Sequence, residues 1–296
     1  MQNNRALSHM ALCVASIVTF LLEASCASAE CGYHYSQETT ELRGHKVLIE
    51  IYQPDGREKA PLVFMLHGSA GALHVWPGKE PAFDNFGEKS LARNCFVVFF
   101  PHYLEALGVE SLFSTEEIQT RSEDLLRIAS QLLHEAETLS IVRGSPVFLF
   151  GKSLGGYLSV ALALRHAEVS ALSECSGGLA PSSFHPQKHL PPLLISHGGS
   201  DRNVPVAEGQ KLAAYWRRHG GLVVEHYYPG QNHYLAPETE LDILMQTVRF
   251  FEEVTALPRE RPALGTERWP AGGASIFRRL ISQPISTTNN RRKTAW

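Results

Sequence analysis

Apolar positions fall along this chain as short unbroken runs separated by longer, periodic stretches. Leu62–Leu66, Phe96–Phe100, Val147–Phe150 and the run Pro192-Leu193-Leu194-Ile195-Ser196-His197 are mainly continuous apolar runs, as strands covered on both faces should be. His45–Tyr52 alternates apolar and polar residues, which predicts a half-exposed early strand. Ala171–Cys175 reads as a short strand and Leu222–Tyr228 as the last one. Between them, Phe83–Arg93, Thr115–Leu139, Leu154–His166, Val206–His219 and Glu238–Val254 place apolar residues at helical spacing. Strands alternating with helices predict an α/β protein, a mostly parallel central sheet with helices on both faces. The stretch up to about Leu42 reads as loose, Pro54-Asp55-Gly56 as a turn, and no internal repeat is visible.

The two ends break this pattern. Arg5 and polar neighbours precede an apolar stretch from Met10 to Leu22, and Ala27-Ser28-Ala29 supplies a small-x-small cleavage site before Glu30. Residues 1–29 therefore read as a signal peptide, 30–256 as a single domain, and 257–296 as a basic tail without apolar periodicity, expected to be disordered. The apolar run is too short to span a bilayer, so no stable membrane span is expected after its removal. An uncleaved anchor or a lipoprotein at Cys26 are the weaker alternatives. The expectation is a secreted protein, periplasmic in a Gram-negative source.

Composition adds limits. The 296 residues are 44% hydrophobic and 19% charged, enough for one large core. A formal charge of −3 argues against a nucleic-acid partner, although the segment from Leu257 onward carries eight basic against two acidic residues. Cys31, Cys95 and Cys175 remain in the mature chain and allow at most one internal disulfide, whose pairing the sequence does not choose. Cys95 abuts an apolar run and reads as a buried small hydrophobe. No pair among the 14 histidines shows zinc spacing, and no phosphate-cradling glycine loop is present, so no metal or cofactor is expected.

The chemistry concentrates in Gly151-Lys152-Ser153-Leu154-Gly155-Gly156. Strand, Gly-x-Ser-x-Gly and helix in that order form a sharp turn that lifts the serine hydroxyl clear of the sheet. A side chain at Gly151 or Gly155 would collide with the neighbouring strand or helix. Ser153 also sits at a helix N-terminus, where free N–H groups favour developing negative charge. A serine nucleophile needs a base and a group to hold that base. Asp201, in Gly198-Gly199-Ser200-Asp201 after a buried strand, and His233, in the loop after the last strand, supply both in the order Ser, acid, His. His67-Gly68-Ser69-Ala70-Gly71 follows an early strand, and the backbone amides of Ser69 and Leu154 are the expected oxyanion donors. His67, His102, His197 and His226 read as structural. Lys152 faces either the pocket or a packing partner, and Trp76 lines either an acyl pocket or the surface.

Together, His67-Gly68-Ser69-Ala70-Gly71, Gly151-Lys152-Ser153-Leu154-Gly155-Gly156, Asp201 in its Gly-Gly-Ser-Asp turn, and His233 resemble the α/β-hydrolases, specifically the dienelactone hydrolase-like family, from roughly Arg43 to Thr255. The resemblance implies an α/β-hydrolase fold with a mostly parallel central sheet. The namesake enzyme uses a cysteine nucleophile where Ser153 stands, and a glutamate where Gly68 stands. The resemblance therefore implies a serine hydrolase that cleaves a small-molecule carboxylic ester through an acyl-enzyme. Two other readings remain: a serine peptidase related to the prolyl oligopeptidases, and a binding protein that kept the fold without catalysis. The peptidases generally carry a propeller or other gating domain, for which this length leaves no room, so the ester reading ranks first.

Overall fold

The sheet is built from strands whose two faces feed two separate cores. In the computed structural model, residues 30–72, 87–166, 168–179 and 189–256 are described. They form β1 (Tyr33–Leu42), β2 (His45–Pro54), β3 (Leu62–Leu66), α1 (Glu88–Arg93), β4 (Val97–Pro101), a 3-10 turn (Tyr103–Leu107), α2 (Thr115–Thr120), α3 (Ser122–Thr138), β5 (Val147–Lys152), α4 (Leu154–Arg165), β6 (Val169–Cys175), β7 (Leu193–Gly198), α5 (Val206–Arg218), β8 (Val223–Tyr228) and α6 (Pro237–Ala256). The eight strands lie in the order β1-β2-β4-β3-β5-β6-β7-β8. β1 and β2 are antiparallel to each other, β2 is antiparallel to β4, and the remaining pairs are parallel.

Alternation along each buried strand divides the side chains. Leu62, Phe64 and Leu66 of β3 join Leu149 and the helix residues Leu132, Leu162 and Trp216 on one face. Val63 and Met65 join Phe100, Phe148, Leu91 and Phe251 on the other. This explains the unbroken apolar runs: each alternate residue meets a different helix layer. Truncating one of these fully buried leucines to alanine typically costs about 2–5 kcal/mol. α4 is apolar nearly all round because it lies inside, directly behind the turn at Ser153.

Three expectations change. The segment read as loose before Leu42 contains β1, paired residue for residue with β2 from Tyr33↔Pro54 to Leu42↔His45. Its polar sequence is exposed on most positions because β1 is an edge strand, so no apolar face announces it. A two-residue turn joins the pair, with Arg43 at φ 56° and Gly44 at φ 79°, the geometry that tight hairpins require. The single helix expected over Thr115–Leu139 is two, divided at Arg121. Cys95 is not a free apolar residue: it is bonded to Cys31, with Cα atoms 5.4 Å apart, and Cys175 is the free, buried thiol. Closing 64 residues in this way is worth about 4 kcal/mol in the chain-entropy account.

Residues 1–29 and 257–296, Trp76 and the first part of the expected Phe83–Arg93 helix lie outside the described residues. Among the described residues, no helix is long and apolar enough to cross a membrane.

Candidate active site

The parallel strands all end at one edge of the sheet, where such sheets present their ligand-binding loops. Ser153 lies between β5 and α4 with φ 55° and ψ −117°, a conformation that L residues rarely adopt. Its surroundings enforce the bend. A Cβ at Gly151 would run into the Gly155 carbonyl, and one at Gly155 into the Leu66 carbonyl. The Ser153 N–H is held by the Cys175 carbonyl of β6 at 2.8 Å.

Asp201 follows β7 and His233 follows β8, and backbone bonds fasten their two loops together. Gly199 N–H donates to Tyr228 O and Ser200 N–H to Gln231 O, each at 2.8 Å. Gly198 makes the close approach possible, since a Cβ there would sit 2.6 Å from Gln231 O and 2.7 Å from Asn232 O. Asp201 Oδ1 accepts the N–H groups of Asn203 and Val204, both at 2.9 Å. Its other oxygen, Oδ2, faces His233 Nδ1 at 2.8 Å. His233 Nε2 in turn lies 3.0 Å from Ser153 Oγ. With Nδ1–H donated to the carboxylate, Nε2 is left to accept the serine proton. The three side chains read from far-apart segments thus come within bonding distance. Both Asp201 and His233 are buried.

The loop after β3 closes the other side. A Cβ at Gly68 would stand 3.5 Å from Ser153 Cβ, so this loop lies against the serine. Gly71 N–H donates to Gly68 O at 3.2 Å, and Leu112 N–H to Ser69 O at 2.7 Å, which fixes the loop's shape. Leu154 is the first residue of α4. His67 is structural, as expected: Nδ1 bonds Gly68 O at 2.7 Å and the ring stacks on Tyr103 at 4.2 Å. Tyr103 OH donates to His67 O at 2.8 Å. Burial pushes the His67 pKa down to about 3, so the ring is neutral.

Several neighbours were not legible as site residues. Lys152 reaches Glu240 of α6, Nζ to Oε1 at 2.7 Å, which resolves which way it points. His197 Nε2 lies 3.6 Å from Asp201 Oδ2. Glu174, at the end of β6, is fully buried; its Oε2 accepts Gly177 N–H at 2.7 Å, and burial pushes its pKa up to about 8. His102 is paired with Glu50 at 2.9 Å. Burial lowers the His226 pKa. Among the described residues, no group of three or more His, Cys, Asp or Glu is placed to hold a metal ion.

The fold is that of the α/β-hydrolases, and it brings a serine, an imidazole and a carboxylate into line at the strand ends. A prolyl oligopeptidase family model matches residues 179–257, the stretch that carries Asp201 and His233. Among solved structures, the chain is similar to a dienelactone hydrolase-like promiscuous phosphotriesterase from metagenomic libraries, at 18% identity and TM-score 0.60 over 75% of this chain and 98% of that one. It is also similar to Thermogutta terrifontis esterase 2, phosphoramylated by tabun, at 15% identity and TM-score 0.55 over 76% and 97%. The Pyrococcus horikoshii acylaminoacyl peptidase aligns at 12% identity and TM-score 0.57, over 79% of this chain but 42% of the peptidase. At these identities the likeness concerns the fold. No curated protein sequence matches.

Proposed function

We propose that this chain hydrolyses a carboxylic ester through an acyl-enzyme, with Ser153 as nucleophile, His233 as general base and Asp201 as the group that orients it. The observation that carries the reading is the continuous chain of contacts from Ser153 Oγ to His233 Nε2 (3.0 Å) and from His233 Nδ1 to Asp201 Oδ2 (2.8 Å). His233 takes the serine proton as Oγ attacks the carbonyl, and Asp201 stabilises the imidazolium that forms. The amides of Leu154 and Ser69 receive the oxyanion, a role supported by the helix start at Leu154 and by the loop packed against Ser153. The alcohol leaves with the proton from His233, which then activates the water that frees the acid.

Ser153→Ala is expected to abolish hydrolysis of p-nitrophenyl acetate and labelling by a fluorophosphonate probe, with an unchanged melting temperature. Activity retained by that variant ends the proposal. Peptide hydrolysis is the second reading, favoured by the family match over residues 179–257. A comparison of p-nitrophenyl esters with peptide p-nitroanilides separates the two. We also propose export directed by residues 1–29, a reading supported by the Cys31–Cys95 disulfide, since such bonds persist in oxidising compartments.

A further inference from the structure

The geometry points to His197 as a positioning residue that sets how Asp201 addresses the proposed base. This deepens the triad reading and rests on it. His197 is the penultimate residue of β7 and is wholly buried. Its Nε2 is 2.9 Å from Val204 O, a carbonyl that can only accept, so Nε2 carries the proton. That N–H also lies 3.6 Å from Asp201 Oδ2, the oxygen that His233 uses.

The turn is therefore held from both ends. Val204 gives its N–H to Asp201 Oδ1 and takes the His197 N–H on its carbonyl. Asn203 adds a second N–H to Oδ1. The carboxylate has one oxygen committed to its own loop and one turned toward two imidazoles. His197 Nδ1 is buried without a hydrogen-bond partner and lies against α5, where a Cβ at Gly209 would come within 2.9 Å. A glycine inside a helix is destabilising relative to alanine. At 209 it makes the room that the ring occupies.

Charge completes the argument. The groups facing the ring are Asp201 and the Val204 carbonyl of its own loop, His233 from the loop after β8, and Glu208 from the first turn of α5. Burial holds His197 below the usual histidine range, so the ring offers Asp201 a neutral N–H dipole rather than a competing positive charge. That dipole takes up part of the Asp201 charge without displacing His233. Remove it, and more of the charge falls on His233, whose protonated form gains stability.

The test uses two amide variants of the full chain. His197→Gln presents an N–H near the place of Nε2, within reach of Val204 O. His197→Asn presents one near Nδ1 and does not reach. Steady-state kinetics with p-nitrophenyl acetate from acid to mildly alkaline pH, with melting temperatures alongside, should separate them. His197→Asn should lose on the order of 10-fold in kcat at little-changed KM, as loosened positioning does. Its acidic limb of kcat/KM should move up by about half a pH unit. His197→Gln should restore most of both. Superimposable pH profiles, or equal losses in the two variants that follow only their melting temperatures, overturn the assignment. Ser153→Ala run in parallel keeps the readings apart: if that control stays active, it is the triad that fails, and this inference falls with it.

Discussion

Among the described residues, two buried carboxylate–imidazole pairs held within 3 Å have nearly equal geometry and different consequence. In one, Asp201 Oδ2 and His233 Nδ1 are 2.8 Å apart. In the other, Glu50 Oε1 and His102 Nε2 are 2.9 Å apart. What differs is the far side of each ring. His233 turns its second nitrogen to the hydroxyl of Ser153, whereas His102 turns its own toward a second carboxylate, Glu105, at 3.5 Å. Glu50 is also saturated: its Oε2 accepts the hydroxyls of Tyr35 and Tyr52, each at 3.0 Å. Burial alone would raise the Glu50 pKa, but the donors from His102, Tyr35 and Tyr52 outweigh it and hold the carboxyl below its ordinary range. A held imidazole is thus no more than a cross-brace unless its free nitrogen meets something that can give up a proton.

That distinction predicts opposite readouts. His233→Ala should lower kcat on an ester by roughly 10⁵-fold while the melting temperature moves little. Asp201→Asn should cost about 10⁴-fold, because the amide keeps the turn but can leave the imidazole in the wrong tautomer. Glu50→Leu should do the reverse, costing about 3 kcal/mol in denaturant unfolding while kcat/KM stays within a few-fold. The sign with pH is fixed. A depressed carboxyl stabilises fully above its unfolded pKa of 4.5, so the wild-type advantage should fade as pH falls below 4.5 through the lowered folded value. A Glu50 variant that kept its stability but lost turnover would erase the contrast.

A smaller effect sharpens it from a third carboxyl. Glu174 has its folded pKa raised from 4.5 to about 8, so the native state holds a proton that the unfolded chain has lost. Wild-type stability should therefore fall relative to Glu174→Gln as pH rises from 4.5 toward 8, and level off above. Thermal melts of the two proteins across that window give the comparison directly, and parallel curves would show that Glu174 ionises as readily folded as unfolded.

Much of this site was legible because its requirements are local. The turn at Ser153 needs small neighbours and a strand and helix on either side, and all three are written within a dozen residues. Asp201 stands where a buried strand gives way to turn residues, and His233 where the half-buried last strand does. The rest was hidden for equally physical reasons. β1 is an edge strand wet on most positions, so its polar sequence resembles a loop. The Cys31–Cys95 bond joins positions 64 residues apart, and nothing local marks Cys95 as a partner. The reach of Lys152 to Glu240, and of His197 toward Asp201, depends on how loops and helices meet after the sheet has formed.

The backbone at Ser153, held at φ 55° and ψ −117°, has a practical corollary. Glycine tolerates that conformation far better than any residue with a side chain, and such strain is worth on the order of 1–3 kcal/mol. Anyone selecting this scaffold for heat resistance alone would therefore be drawn to Ser153→Gly, a sturdier protein stripped of its hydroxyl. Directed evolution here needs a turnover assay at every round.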